Sequence, residues 1–275
     1  MKDVNFLINN GVNVQKSLEL FGDMETYNDT LETFLTDVED KLSKIKTYKE
    51  IADMANYAIL VHSLKSDARY FGFEKLADLA YQHEMESKSN NMYYVTDHFD
   101  ELMTEANRIV HLVKQYLGRE DANTVSKAEA TPVVKEQKIL VVDDSNIVSN
   151  FIKKIFNNTF DVVIANDGKE ALDIVNSNTD GKIVGMLLDL NMPNVDGFEV
   201  LDYFKAHDLF KQVPVSIITG DSSKEVIDRA FTYPIIDMLQ KPFNEVNIKN
   251  IVEKTIRTVS YTHLRAHETS QDLVC

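Results

Sequence analysis

The feature that most constrains the fold is a change of hydrophobic period near the middle of the chain. Up to residue 117 the apolar residues recur at three- and four-residue steps, the spacing of amphipathic helices. Tyr27, Leu31, Phe34, Leu35, Val38, Leu42 and Ile45 form one such stripe. A second run covers about Ile51 to Phe71 and is broken at Gly72, and a third covers Glu74 to about Ser87. In a fourth, Phe99, Leu102, Ala106, Ile109, Val110, Val113 and Leu117 share one face, which stops at Gly118. Long helices joined by short breaks predict an antiparallel helical bundle over residues 1–117.

Residues 118–137 are rich in Gly, Asn, Thr, Ser, Ala, Glu and Pro and read as a linker. Beyond it, short continuous apolar runs alternate with helical stretches. The runs are Lys138–Val142, Asp161–Ala165, Val184–Leu188, Val213–Ile218 and a short Ile236–Leu239. Helical spacing appears at Ile147–Ile155, Glu170–Val175, and at about 197–206, 223–231 and 245–257. Five strands separated by helices over 138–258 predict an α/β unit with a doubly wound, five-stranded parallel sheet.

Charge and length exclude several classes of function. The 275 residues carry 29 Lys+Arg against 44 Asp+Glu, a formal charge of −15. The deficit is shared: 13 basic and 21 acidic residues fall in 1–120, and 16 and 23 in the remainder. Neither half has the basic footprint of a nucleic-acid binder. No stretch approaches the roughly 18 apolar residues of a membrane span, and Met1-Lys2-Asp3-Val4-Asn5 turns polar too early for a secretory signal. The single cysteine, Cys275, excludes a disulfide framework and a cysteine metal site. The expectation is a soluble cytoplasmic protein. Val259–Thr269 looks like a translated reading frame of a transposase-based sequencing adapter, and Asp272-Leu273-Val274-Cys275 resembles its downstream partner. Residues 259–275 are therefore set apart from fold reasoning.

In a doubly wound sheet the reactive crevice lies beyond the carboxyl ends of the strands. Here the first strand ends in Asp143-Asp144, the third in Asp189 and the fourth in Thr219, and the fifth is followed by Lys241-Pro242. Three converging carboxylates repel one another and invite a divalent cation. Hard oxygen donors with room for water and a phosphate oxygen describe Mg²⁺. Phosphoryl transfer needs positioning and charge neutralisation above all. Asp189 is then the candidate nucleophile, Asp144 a direct metal ligand and Asp143 the holder of a metal-bound water. Thr219 and Lys241 would bind the oxygens of the acyl phosphate.

These residues, with Asp189-Leu190-Asn191-Met192-Pro193-Asn194-Val195-Asp196-Gly197 and Lys241-Pro242-Phe243, resemble the receiver domains of two-component response regulators over 138–258. The resemblance implies a flavodoxin-like fold and adds the backbone carbonyl of Asn191 to the metal site. One position departs from that family: Met238 stands three before the lysine, where an aromatic residue is usual, and Pro234 just upstream is also unusual.

On the helix around residue 62, steps of about 100° put Leu60, Val61, Leu64, Ala68 and Phe71 on one side, with Tyr57. His62, Lys65, Ser66 and Arg69 fall on the other, the expected solvent face. The order His62-Ser63-Leu64-Lys65-Ser66-Asp67-Ala68-Arg69-Tyr70-Phe71-Gly72 resembles the phosphorylation motif of histidine-phosphotransfer domains, over about residues 10–117. It matches at the histidine, the leucine, the lysine three later and the glycine ten later, and departs at Ser66, commonly glycine. The resemblance implies a phosphohistidine at His62 assisted by Lys65. His83 shares an apolar face with Leu76, Leu79 and Ala80 and reads as packed, while His98, His111 and His207 read as solvated.

Together the resemblances imply a phosphorelay protein that exchanges a phosphoryl group between His62 and Asp189. Its partners would be a sensor histidine kinase or other phosphorelay proteins. No GxxxxGK[ST] loop and no recognisable kinase ATP-binding segment occurs in the sequence, so the phosphoryl group is expected from outside the chain. Two other readings stand beside this one. The chain is the regulatory front of a longer response-regulator enzyme, or the bundle serves only to dock partners or to dimerise.

Overall fold

The computed structural model describes residues 3–119, 137–178 and 181–257. All but the ends of the linker, and the whole adapter-like tail, lie outside the described residues. The chain divides into two compact units.

The first unit is helical. Two short helices, α1 (Val4–Asn9) and α2 (Val14–Phe21), precede four longer ones, α3 (Met24–Glu50), α4 (Met54–Tyr70), α5 (Glu74–Lys88) and α6 (Met92–Leu117). The four pack around a closed circuit, α3 against α4, α4 against α5, α5 against α6 and α6 against α3. Three-residue connections make neighbours antiparallel. Asp23, Asp53 and Asn91 cap the starts of α3, α4 and α6, each side chain accepting a backbone N–H of the first turn. The stripes read from the sequence face inward, with Tyr27, Leu31, Phe34, Val38, Leu42 and Ile45 buried on α3. Leu35 and Leu117, at the margins of their stripes, are half-buried.

One boundary differs from the periodic reading. The run expected from Ile51 is turn until Asp53, because Ala52 takes the left-handed conformation (φ 57°) and ends the path of α3. Ile51 is consequently exposed. Gly72 also has a positive φ (70°), and a Cβ there would stand 2.3 Å from the carbonyl oxygen of Asn13. Only glycine permits that approach of the segment before α2 to the α4–α5 turn.

The second unit is a five-stranded, wholly parallel sheet in the order β2-β1-β3-β4-β5. In chain order its elements are β1 (Lys138–Val142), α7 (Asn146–Phe156), β2 (Asp161–Ala165), α8 (Gly168–Ser177), β3 (Ile183–Leu188), α9 (Gly197–Ala206), a 3-10 turn at Leu209–Lys211, β4 (Val215–Thr219), α10 (Lys224–Ala230), β5 (Met238–Gln240), and α11 at 245–257. Every residue of β3 and β4 is buried, as expected of strands covered on both faces. Pro214, which has no N–H for a ladder, precedes β4, so that strand begins two residues later than its apolar run. β5 is likewise displaced toward Lys241. No helix among the described residues is long and apolar enough to cross a membrane.

The strand order reverses between β1 and β3. That is the topological switch point at which open α/β sheets bind ligands, and it sets the carboxyl ends of β1 and β3 side by side.

Candidate functional site

At the switch point, Asp189 N–H donates to the carbonyl of Val142 (2.8 Å), which seats the residue after β3 beside the residues after β1. Asp143, Asp144 and Asp189 each bring a carboxylate oxygen within 4.8 Å of the others. Asp143 and Asp189 are buried and Asp144 is half-buried. On the other side of β3, the backbone N–H of Lys241 donates to the carbonyl of Thr219 (2.8 Å), locking the lysine to the end of β4. Its Nζ then lies 2.6 Å from Asp143 Oδ2 and 2.5 Å from Asp189 Oδ2. Burial opposes the Lys241 ammonium, but Asp143 and Asp189 outweigh it and hold its pKa well above the usual lysine value. Burial together with the charges of Asp189 and Asp144, against the pull of Lys241, pushes Asp143 up to about 7. The three carboxylates form a cluster of hard oxygen donors, a donor set suited to Mg²⁺.

The other pocket residues are held by the backbone around them. Thr219 ends β4, buried, with its Oγ1 accepting the N–H of Asp221 (3.2 Å). Asn191 N–H donates to Asp189 Oδ1 (3.2 Å). The acceptor loop runs through Asn194, whose positive φ (63°) suits asparagine, to Asp196, which caps α9 in a reciprocal capping box with Glu199. Gly197 opens that helix directly against the acceptor: a Cβ there would meet the Asp189 carbonyl oxygen at 2.3 Å and Leu190 Cα at 2.7 Å. Met238 is half-buried in β5 and Pro234 is exposed in the turn before it.

A second set of residues lies on α4 and α5. His62 Nδ1 donates to Glu84 Oε1 (2.6 Å), and Lys65 Nζ donates to Glu84 Oε2 (2.5 Å). Lys88 adds a third bond to the same carboxylate at 2.8 Å. Lys65 Nζ also approaches His62 Nδ1 to 3.2 Å, but that nitrogen is already committed as a donor to Glu84, so the lysine's bond is to the carboxylate. Burial works against the Glu84 charge, yet the hydrogen bond and charge of His62, and those of Lys65, hold its carboxyl far below the usual range. Burial draws the Lys65 pKa down, against the pull of Glu84. The other ring nitrogen of His62, Nε2, has no hydrogen-bond partner among the described residues. In the neutral ring it carries the lone pair.

This arrangement adds to the expected polar face of α4. His62 and Lys65 meet an acid of α5 there, Glu84. A helical projection of α4 alone identifies its polar side but cannot show that α5 turns an acid toward it. Glu84 went unrecognised for the same reason, since it belongs to no motif and adjoins a histidine on the apolar side of its own helix. His83 packs as expected, fully buried. His98 and His207 stack on Tyr94 and Tyr203, with ring centroids 4.0 Å apart in each pair, and His111 is exposed.

Comparison with known proteins matches two segments of the chain. A family model described as the response regulator receiver domain matches residues 139–253, and one described as the Hpt domain matches 29–109. The chain is 30% identical over 123 residues to the chemotaxis protein CheY1 of Helicobacter pylori, covering 44% of this chain and 98% of that protein. The CheY homolog of Campylobacter jejuni is 30% identical over 125 residues, which are 45% of this chain and 95% of that one. Among solved structures, a Francisella response-regulator receiver domain is 31% identical, with a TM-score of 0.40, over 44% of this chain and 98% of that chain. With an Hpt domain ahead of a receiver domain, the chain belongs to the response-regulator family and is a two-component phosphorelay protein.

Proposed function

We propose that the chain exchanges a phosphoryl group between Nε2 of His62 and a carboxylate oxygen of Asp189. In the forward sense the P–N bond of phosphohistidine breaks as a P–O bond to Asp189 forms, and the nitrogen keeps the electron pair. The observation that carries this reading is the pairing of an unpartnered ring nitrogen on an anchored histidine with a carboxylate held against a buried lysine.

The residues divide the work by their chemistry. Glu84 holds the proton on Nδ1 and so keeps the lone pair on Nε2. Lys241 neutralises charge that develops on the transferred group, and the Thr219 hydroxyl donates to one of its oxygens. Asp143, Asp144, Asp189 and the carbonyl of Asn191 form the Mg²⁺ site. Bound there, the cation would offset the repulsion between the carboxylates and an incoming phosphoryl group. Lys65, tied to Glu84 in the unphosphorylated state, is the cation nearest the histidine. We assign the histidine-phosphotransfer bundle to 1–117 and the receiver to 138–258, with a linker between them. The partners are a sensor histidine kinase or other phosphorelay proteins, met in the cytoplasm, and not nucleic acid.

The test is to load the receiver with a small phosphodonor and Mg²⁺ and follow acid-labile phosphohistidine. Asp189→Asn should abolish the initial labelling, and His62→Gln should abolish phosphohistidine while sparing the aspartyl phosphate. A transfer rate independent of protein concentration means exchange within one chain, and a rate that scales with it means exchange between chains. Full labelling of Asp189→Asn, or phosphohistidine that survives His62→Gln, overturns the assignment.

A further inference from the structure

The bundle contains a second link between α4 and α5, one residue along α5 from the Glu84–His62 bond. Tyr57 and His83 are both fully buried, with the Tyr57 hydroxyl 2.7 Å from His83 Nδ1 and His83 Nε2 3.3 Å from the carbonyl oxygen of His98 on α6. The carbonyl can only accept, so in the neutral ring Nε2 carries the proton and Nδ1 accepts from Tyr57. The rings of His83 and Tyr94 also meet edge to face, with centroids 5.7 Å apart. Every polar atom of His83 and Tyr57 is thus satisfied inside the bundle, and the imidazole bridges three helices. Such an arrangement is more specific than filling the core requires, since an apolar pair would serve packing without the directional constraint.

We propose that Tyr57 and His83 are a positioning pair for His62, acting through Glu84; the functional part of this proposal rests on the reading of His62 as the phosphoryl carrier. Residues 83 and 84 are adjacent and point about 100° apart around α5. Whatever fixes the rotation of α5 at His83 also fixes the direction of Glu84. Side-chain ends lie about 5–6 Å from a helix axis, so a rotation of about 15° would carry the Glu84 carboxylate roughly 1.5 Å. That would stretch the 2.6 Å contact to His62 beyond hydrogen-bonding range. Lys88 and Lys65 hold Glu84 as well, but both are long and mobile in their torsions and can follow the carboxylate as it moves. The hydroxyl of Tyr57 and the ring of His83 are short and stiff, and they resist the rotation. Tyr57 also lies on α4, five residues before His62, so the pair registers the two helices that carry the site.

The experiment reads the tautomer of His62 in the full chain by nitrogen–proton correlation spectra with selectively labelled histidine. A charge-assisted bond to Glu84 biases Nδ1–H over Nε2–H by roughly ten- to a hundredfold, so Glu84→Ala should collapse the bias and Glu84→Gln, which still offers a carbonyl oxygen, should keep most of it. Tyr57→Phe removes one oxygen atom and should lower the His62 ratio at least about threefold, with a matching loss in phosphotransfer rate. In the Glu84→Ala background Tyr57→Phe should have no further effect on either quantity, because the path through Glu84 is already cut. His83→Leu breaks the same link from the other side, and His83→Asn, whose Oδ1 falls near the place of Nδ1, should restore the ratio. An unchanged His62 tautomer in both Tyr57→Phe and His83→Leu overturns the proposal, as does an equal effect of Tyr57→Phe with and without Glu84. The tautomer is read without phosphate, so a chain that never phosphorylates His62 would refute the transfer reading while leaving the spectra to decide the positioning pair.

Discussion

Replacing Lys241 with methionine tests the electrostatic account of the receiver pocket. Lys241 is buried and bonds two carboxylates at 2.6 and 2.5 Å. Methionine fills a similar volume but leaves Asp143 and Asp189 facing each other without the ammonium between them. Removing one partner of a buried ion pair destabilises by about 3–5 kcal/mol, because the remaining charges lose their compensation. A small domain has a total stability of only about 5–15 kcal/mol. For a domain of this size each kcal/mol moves the melting temperature by about 3–5 °C, so the receiver transition should fall by about 10–20 °C. Added Mg²⁺ should reverse part of that loss, and by more than it stabilises the wild type, since the variant has lost the ammonium that competes with the cation for Asp143 and Asp189. The assay is a set of thermal melts of the full chain at neutral pH across a magnesium series, with calcium and sodium as controls. A melting temperature unchanged by the substitution would refute the buried pair as a structural element. Equal magnesium shifts in the two proteins would refute the carboxylates as the site of the cation.

Other perturbations follow from single contacts. Gly197→Ala places a methyl carbon 2.3 Å from the Asp189 carbonyl oxygen, and should destabilise the receiver by about 1–3 kcal/mol; unchanged denaturant midpoint and phosphodonor labelling would count against the tight loop. His83 is buried neutral, and burial lowers its pKa. The unfolded chain therefore takes up this proton more readily, so bundle stability should be full above the unfolded value of about 6.5 and decline as pH falls below it, by up to about 1.4 kcal/mol per pH unit. The slope should be smaller in His83→Asn, and identical slopes in the two proteins would exclude His83 as the source. Removing residues 259–275, if they are translated adapter, should leave the melting temperature unchanged within error, and a clear drop would show that the tail contributes to the fold.

The parallel sheet was legible because strands covered on both faces are continuous apolar runs, as Val141-Val142 and Leu187-Leu188 illustrate. The convergence of its pocket residues was legible because they sit at strand ends, where topology brings them together. The edge strand β5 was harder, since its residues are half-buried or exposed and its apolar run does not mark where pairing starts. The α3–α4 turn was hidden because Ile51 continues a helical stripe that one backbone angle at Ala52 interrupts. Around His62 the motif identified the residue but not its surroundings. Its partner, Glu84, is contributed by a different helix 22 residues away, and no periodicity within α4 reports what α5 presents to it.

The order of the strands also bears on when the receiver can respond. Asp143, Asp189 and Lys241 follow β1, β3 and β5, Thr219 ends β4, and the successive strands that are not neighbours in the sheet are β2 and β3, between which β1 lies. β1 must wait for β3, and the pocket is complete only when contacts from position 143 to position 241 have closed. Long-range parallel pairing of this kind is slow compared with helix formation. A partly folded chain therefore holds the carboxylates apart and has no lysine to set against them. On the proposed reading, a chain whose sheet is not fully assembled lacks the complete acceptor pocket.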